Sequence, residues 1–247
     1  MMRAMLALLP GLLGLQACAC EAPRCPPPLE VLPGGSCFAK PAAGVRDAPI
    51  AIYLHGMTTD PQHALREGRL LADAVRGSAA VLVPLGTKGA CTWSPDLANH
   101  HCWPTTGVDQ QEVEKLVGRL RADLAEVQRR TGATQQPAAF LVGFSNGGFG
   151  AARIAATTDL PLAGLAILHA GGAASVDTAW RGATLLRAAT GDEWHYPSMV
   201  ELRDRFAAAG TPATWQEREG AHVFSPDDAA AVAAFFLQGA ERDRPGR

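Results

Sequence analysis

The sequence predicts an α/β protein: a mostly parallel sheet with helices on both faces, folded around one core. Two observations predict it. Short, nearly continuous apolar runs of strand length alternate with longer segments whose apolar residues recur at helical spacing, the pattern of strands covered on both sides by crossover helices. With 247 residues, 47% of them hydrophobic and 19% charged, the chain can bury one substantial core without a second domain. A formal net charge of -2, with Arg and Lys scattered among acidic residues, leaves no basic block and argues against a nucleic-acid partner.

Residues 1–17 hold one Arg, an apolar run from Ala4 to Leu15 broken by Pro10 and Gly11, and small residues ahead of Cys18. That is the layout of an export signal. A spanning helix needs roughly 20 consecutive apolar residues, more than this run supplies. Leu15-Gln16-Ala17-Cys18 is similar to a bacterial lipoprotein signal, in which the Cys becomes the lipidated first residue, although Gln16 departs from the pattern. The expectation is a cell-envelope lipoprotein attached to the membrane through lipid on Cys18. The alternative is a cut after Ala19, giving a periplasmic or secreted protein.

Residues 18–46 are rich in Pro, Gly and Cys and read as a tether leading into an irregular or edge-strand segment. The globular part is expected over 47–240, with a polar tail over 241–247. Six Cys occur, at 18, 20, 25, 37, 91 and 102, without the C-x-x-C spacing of zinc or thioredoxin-like chemistry. The simplest pairing joins Cys25 to Cys37 and Cys91 to Cys102, each closing a short loop, though four Cys allow three connectivities. Cys18 or Cys20 is then left for lipid.

In the globular part, strands are expected at Ile50–Leu54, Ala80–Val83, Ala139–Gly143, Leu165–Leu168, Thr184–Ala188 and Ala213–Gln216. Val113, Leu116, Val117, Leu120, Leu124 and Val127 fall on one face of a helix from Asp109 to Arg130. Shorter helices are expected at Ala64–Val75, Gly147–Thr157, Ser198–Ala209 and Asp227–Leu237, the last opened by Ser225-Pro226-Asp227.

Chemistry concentrates in three places. Gly143-Phe144-Ser145-Asn146-Gly147 follows an apolar strand and opens a small-residue helix. A serine nucleophile needs such a sharp strand-to-helix turn, with Gly on both sides to leave room for it. A hydroxyl is a poor nucleophile without a base, and His222 stands in the loop between the last strand and the last helix. Gly191-Asp192-Glu193 follows the strand before it, completing the order Ser, Asp, His.

On these residues, together with Leu54-His55-Gly56-Met57 after the first core strand, the segment from Pro49 to Leu237 resembles the α/β-hydrolase superfamily. The nearest style is that of compact carboxylesterases and dienelactone-hydrolase-like esterases. The resemblance implies Ser145 as nucleophile, His222 as general base and Asp192 as the acid. It also implies backbone N–H groups of Met57 and Asn146 as the oxyanion hole and His55 as a structural brace instead of a catalytic group; Thr58 is expected in a turn role, with a hydroxyl donor to the oxyanion as the alternative. Glu193 stays open as the acid, because family members often place it four residues before a Pro, and Pro197 is four after Glu193 but five after Asp192. Family caps are commonly inserted after the strand that follows the nucleophile helix, and the short stretch between Leu168 and Thr184 has no room for a large one.

The longest irregular stretch is Gly86–Val108, and Trp93, Trp103, Trp194 and Tyr196 are candidates for an aromatic rim around the substrate, or for gap filling between loop and sheet. His100, His101 and His195 have no metal-ligand spacing, so neither a metal nor another cofactor is expected. The resulting expectation is a serine esterase acting through an acyl-enzyme on a small-molecule or polymer-end ester. A peptidase or amidase using the same triad is the alternative, and a non-catalytic binding protein is disfavoured by the complete set of residues.

Overall fold

The computed structural model describes residues 25–45, 47–105, 109–172 and 176–242. The expected export signal, Cys18, Cys20 and the end of the polar tail lie outside them. Eight strands form one sheet: β1 (Glu30–Val31), β2 (Cys37–Ala39), β3 (Ile50–Leu54), β4 (Ala80–Val83), β7 (Ala139–Phe144), β8 (Leu162–Leu168), β9 (Ala183–Ala189) and β10 (Thr214–Arg218). They run in the order β1-β2-β4-β3-β7-β8-β9-β10. β1 and β2 are antiparallel, β2 is antiparallel to β4, and every pairing from β4 to β10 is parallel.

Alternation along β3 shows how the core is split. Ile50, Ile52 and Leu54 join one buried cluster, with Val113, Leu116 and Leu120 of α2 (Gln110–Thr131), Ala151 and Ile154 of α3 (Asn146–Thr157), and Met199, Leu202 and Phe206 of α5 (Tyr196–Ala208). Ala51 and Tyr53 point the other way, toward Leu65, Leu71 and Val75 of α1 (Pro61–Val75) and Val232 and Phe236 of α6 (Pro226–Arg242). Successive strand side chains face opposite sides, so a strand buried on both faces is apolar throughout. The short α4 (Val176–Ala179) lies between β8 and β9, where no large cap is inserted.

Local signals set the helix ends. The Asp60 carboxylate accepts the Gln62 N–H at 2.9 Å with Pro61 in the first turn, so α1 starts before the expected Ala64. Asp109 caps α2 in the same way, and Gly132, at φ 68°, ends it. At α6 the Ser225 hydroxyl accepts the Asp228 N–H at 3.2 Å while Asp228 Oδ2 accepts the Ser225 N–H at 2.9 Å, a reciprocal box.

Two differences from the sequence reading stand out. The boundary at 47 falls too late: β1 and β2 belong to the sheet, and Leu29, Leu32, Cys37 and Phe38 are buried. Stretch 86–108 is not simply irregular either. It contains the antiparallel pair β5 (Thr87–Lys88) and β6 (His101–Cys102) and a single 3-10 turn at Pro95–Leu97. Disulfides join Cys25 to Cys37 and Cys91 to Cys102, the simplest pairing expected, with Cα atoms 5.7 and 5.6 Å apart. Among the described residues no helix is long and apolar enough to cross a membrane.

Candidate active site

The turn from β7 into α3 places Ser145 at φ 52°, a left-handed conformation that a residue with a Cβ rarely adopts. It is held by the Ser145 N–H donating to the Leu168 carbonyl at 3.0 Å and the Gly148 N–H donating to the Ser145 carbonyl at 2.8 Å. The glycines of the motif make the turn possible by close approach. A Cβ on Gly147 would lie 2.0 Å from the Leu54 carbonyl oxygen, and one on Gly143 would lie 2.2 Å from that of Gly147. The first turn of α3 therefore sits directly on the end of β3, with the serine raised at the tip of the sheet.

The tips of β9 and β10 are stitched together. The Thr190 N–H donates to the Arg218 carbonyl at 2.9 Å and the Gly191 N–H to that of Gly220 at 3.0 Å, bringing Asp192 beside His222. Asp192 Oδ2 and His222 Nδ1 are 2.5 Å apart, and His222 Nε2 lies 2.8 Å from Ser145 Oγ. An ionised carboxylate only accepts, so Nδ1 carries the ring proton and Nε2 is left to accept from the serine hydroxyl. The partner of His222 is Asp192, which is buried; Glu193 is exposed.

Burial pushes the His222 imidazole below its ordinary pKa; the Asp192 hydrogen bond pulls it back up and His195 pushes it down, with a net lowering. For Asp192 burial acts upward, but hydrogen bonds from His222 and His195 outweigh it and hold the carboxyl below its usual value.

A second layer fixes the His222 loop. Arg218 donates to the Val223 carbonyl at 2.6 Å and the Ala221 carbonyl at 3.2 Å, on either side of the histidine. Its Nε also meets both oxygens of the buried Asp228 at 3.0 Å, which is bonded in turn to Arg187 at 2.8 Å and His169 at 3.1 Å. Sequence reasoning missed this network, whose members come from β8, β9, β10 and α6. Arg187 inside an apolar strand was the one available signal, since a buried cation needs a partner.

His55 is fully buried beneath the loop that follows β3. Its Nδ1 donates to the Gly56 carbonyl at 2.6 Å, its Nε2 accepts the Gly86 N–H at 3.0 Å, and burial pushes its pKa down to about 4, so the ring is neutral. The Thr58 hydroxyl bonds to the backbone of Asp60, the turn role expected of it. The Asn146 N–H stands in the first turn of α3, where the helix itself offers no acceptor. Gly56 brings the Met57 segment close, since a Cβ there would be 3.3 Å from Ser145 Cβ.

A cavity of about 690 Å³ opens on Ser145 and His222, lined also by Met57, Trp93, Thr105, Asn146, Phe149 and His195. Of the four aromatic rim candidates only Trp93 lines it. Trp103 requires correction: it is 0% exposed, its indole N–H donating to the His55 carbonyl at 2.8 Å and its backbone N–H to Asn146 Oδ1 at 2.8 Å. It ties the loop after β3 to the turn around Ser145 and is closed off from the cavity. Trp194, 87% exposed, is outside the lining, and the Tyr196 hydroxyl donates to Glu217 at 2.8 Å. Phe149 and His195 were not anticipated, although Phe149 lies one helical turn after Ser145 and His195 three residues after Asp192.

Among the described residues, Asp192, His195 and His222 bring ligand-type atoms within 4.8 Å of one another. The two imidazoles are nearly parallel, 4.2 Å apart, and their Nδ1 atoms face the two oxygens of Asp192, at 3.1 Å from His195 and 2.5 Å from His222. That arrangement suits hydrogen bonding to a carboxylate better than tetrahedral coordination.

The fold as a whole is similar to that of solved structures. An esterase named PE8 superposes with TM-score 0.60 at 18% identity, covering 85% of this chain and 98% of that one. A carboxylesterase from Mesorhizobium loti gives 0.59 at 19% identity, with 85% and 98% covered. A Bacillus cereus carboxylesterase gives 0.58 at 17%, with 83% and 93% covered.

This chain has the α/β-hydrolase fold.

No protein-family model and no curated protein sequence matches the chain. Ser145, Asp192 and His222 lie in the turns that follow β7, β9 and β10.

Proposed function

We propose that the protein is a serine hydrolase cleaving carboxylic esters through an acyl-enzyme, with Ser145 as nucleophile, His222 as general base and Asp192 as the orienting acid. The observation that carries this reading is the unbroken relay from Asp192 Oδ2 through His222 to Ser145 Oγ, with gaps of 2.5 and 2.8 Å, at the mouth of a cavity. Ser145 attacks the ester carbonyl, its proton passing to His222 Nε2, and the carbonyl oxygen becomes an oxyanion received by the backbone N–H groups of Met57 and Asn146. Each such donor contributes roughly 3 kcal/mol of transition-state stabilisation. His222 then protonates the departing alcohol, and a water activated by the same imidazole releases the acid. Among the described residues no Lys, Arg, Asp or Glu lines the cavity, which supports an uncharged ester with an apolar portion against Trp93 and Phe149. The two disulfides support an oxidising compartment, and lipid on Cys18 would hold the enzyme at a membrane.

Fluorophosphonate labelling of the intact chain, run beside assays on a short-chain nitrophenyl ester and a matched anilide, tests this. Labelling and ester turnover should vanish in Ser145→Ala. Labelling that persists there, near wild-type turnover in His222→Ala, or faster anilide than ester cleavage would overturn the reading.

A further inference from the structure

Asp192 serves two imidazoles, and the proposed reaction uses one of them. Its Oδ2 faces His222 Nδ1 at 2.5 Å, while its Oδ1 faces His195 Nδ1 at 3.1 Å and accepts the His195 backbone N–H at 3.2 Å. The carboxylate accepts from both rings, so both carry a proton on Nδ1, and His222, whose Nε2 faces the Ser145 hydroxyl, keeps that nitrogen free to accept. The rings stack, with centroids 4.2 Å apart and planes 18° from parallel. Phe144 also stacks on His222, at 5.0 Å and 27°. Two near-parallel rings cannot occupy one face, so His222 is sandwiched between them.

We infer that His195 is a positioning residue: it fixes the rotation of the Asp192 carboxylate and the plane of the His222 ring, so that the imidazole meets Ser145 without rearrangement. The inference rests on the proposed roles of Asp192 and His222. An Asp carboxylate turns easily about its terminal torsion, and a bond to one oxygen leaves that rotation open. Donors on Oδ1 close it. The stack removes the remaining freedom of His222, which can no longer tilt away from Oγ toward the cavity. On the other side the Phe144 ring face suits the imidazolium formed when the serine proton is taken up.

The same contacts set the charge balance at His222. Facing it are Asp192 and His195 from the turn after β9, and His169 edge-on at 6.4 Å from the end of β8, itself bonded to Asp228; His63, Arg66, Glu67 and Arg69 of α1 line a pocket with it. Arg218 holds its flanking carbonyls from behind. Removing the His195 N–H leaves the carboxylate more basic and its grip on the His222 proton tighter, so the imidazole should titrate at higher pH.

Two variants separate the donor from the ring. His195→Phe keeps a stacking ring and loses the donor; His195→Asn keeps a side-chain N–H for Oδ1 and loses the ring. In nitrophenyl ester hydrolysis, His195→Phe should lower kcat about ten- to a hundredfold with a smaller change in KM, and move the acid limb of kcat/KM to higher pH. His195→Asn should restore the limb while kcat stays below wild type. An unmoved limb in the Phe variant, or an effect confined to KM, would overturn the inference, the latter making His195 a plain substrate contact. Nitrogen-15 NMR of the imidazoles in substrate-free protein gives a second readout independent of turnover. His195 should show a protonated Nδ1, and the His222 Nδ1–H resonance should shift in His195→Phe; a His195 protonated on Nε2 would refute it even if no ester were cleaved.

Discussion

The smallest unit with functional consequence is the single ionisable side chain. In the proposed reaction His222 must be neutral to accept the serine proton, and its pKa lies below the ordinary value because burial outweighs the Asp192 hydrogen bond. The acid limb of kcat/KM is therefore expected below the usual histidine value of about 6.5, read from a pH–rate profile in the wild-type enzyme. Asp192→Asn should cost about 10⁴-fold in kcat, whereas Glu193→Gln should change it little, since only Asp192 touches the imidazole; comparable losses in two folded variants would refute this. His55 acts on stability instead. Its pKa falls from 6.5 to about 4, so between those values the unfolded chain binds a proton that the folded chain refuses. Stability from this group is fully present above pH 6.5 and lost as pH falls toward 4, by about 3 kcal/mol. Denaturant titrations across that window should show the loss, and His55→Gln should flatten it. Ser145, Asp192 and His222 were legible in the sequence because each has a local signature: a glycine-flanked turn, a strand end, a loop before a capped helix. Trp103 was not, because its partners His55 and Asn146 lie far away in sequence and an indole in a Cys-bracketed loop can point either way.

Whole elements carry a different kind of dependence. Asp228, in the first turn of α6, is fully buried among Arg187, Arg218 and His169. Asp228→Asn would take from Arg218 its carboxylate partner and leave Arg187 only Asp227, and should destabilise the fold by about 3 kcal/mol, seen as a lower denaturant midpoint. Because Arg218 also holds the carbonyls beside His222, kcat should fall in the same variant. The β5–β6 pair is closed by Cys91–Cys102, with Trp93 on the cavity and buried Trp103 beside Cys102. Replacing both cysteines by serine should raise KM through Trp93 and loosen the loop; unchanged KM across several esters would show that the bridge does not shape the cavity. The larger elements were readable because five-residue apolar strands and long helices leave clear periodicity. β1, β2, β5 and β6 are two or three residues long and leave none, which is why the sheet edge was placed outside the globular part.

At the scale of the molecule, the fold was legible from alternation alone, while the cavity was not, since its walls come from the loop after β3, the β5–β6 region, α3 and the turn after β9, whose meeting depends on sheet order. That order sets distances as well as neighbours. Ser145 follows β7 and Asp192 follows β9, with β8 between them, so the two tips stand two ladder spacings apart, about 10 Å. One imidazole with a hydrogen bond at each end bridges the gap. The sheet thus works as a ruler for the reaction: β8 fixes the span, and the Leu168 carbonyl that holds the Ser145 N–H belongs to that spacer strand. Anything that spreads β7 from β9 by a few tenths of an ångström lengthens the relay without altering a reacting group. Hydrolysis should accordingly vanish at the same denaturant concentration as the far-ultraviolet signal of the sheet, and activity lost well before that signal would mean that the loops, and not the ladder, set the measure.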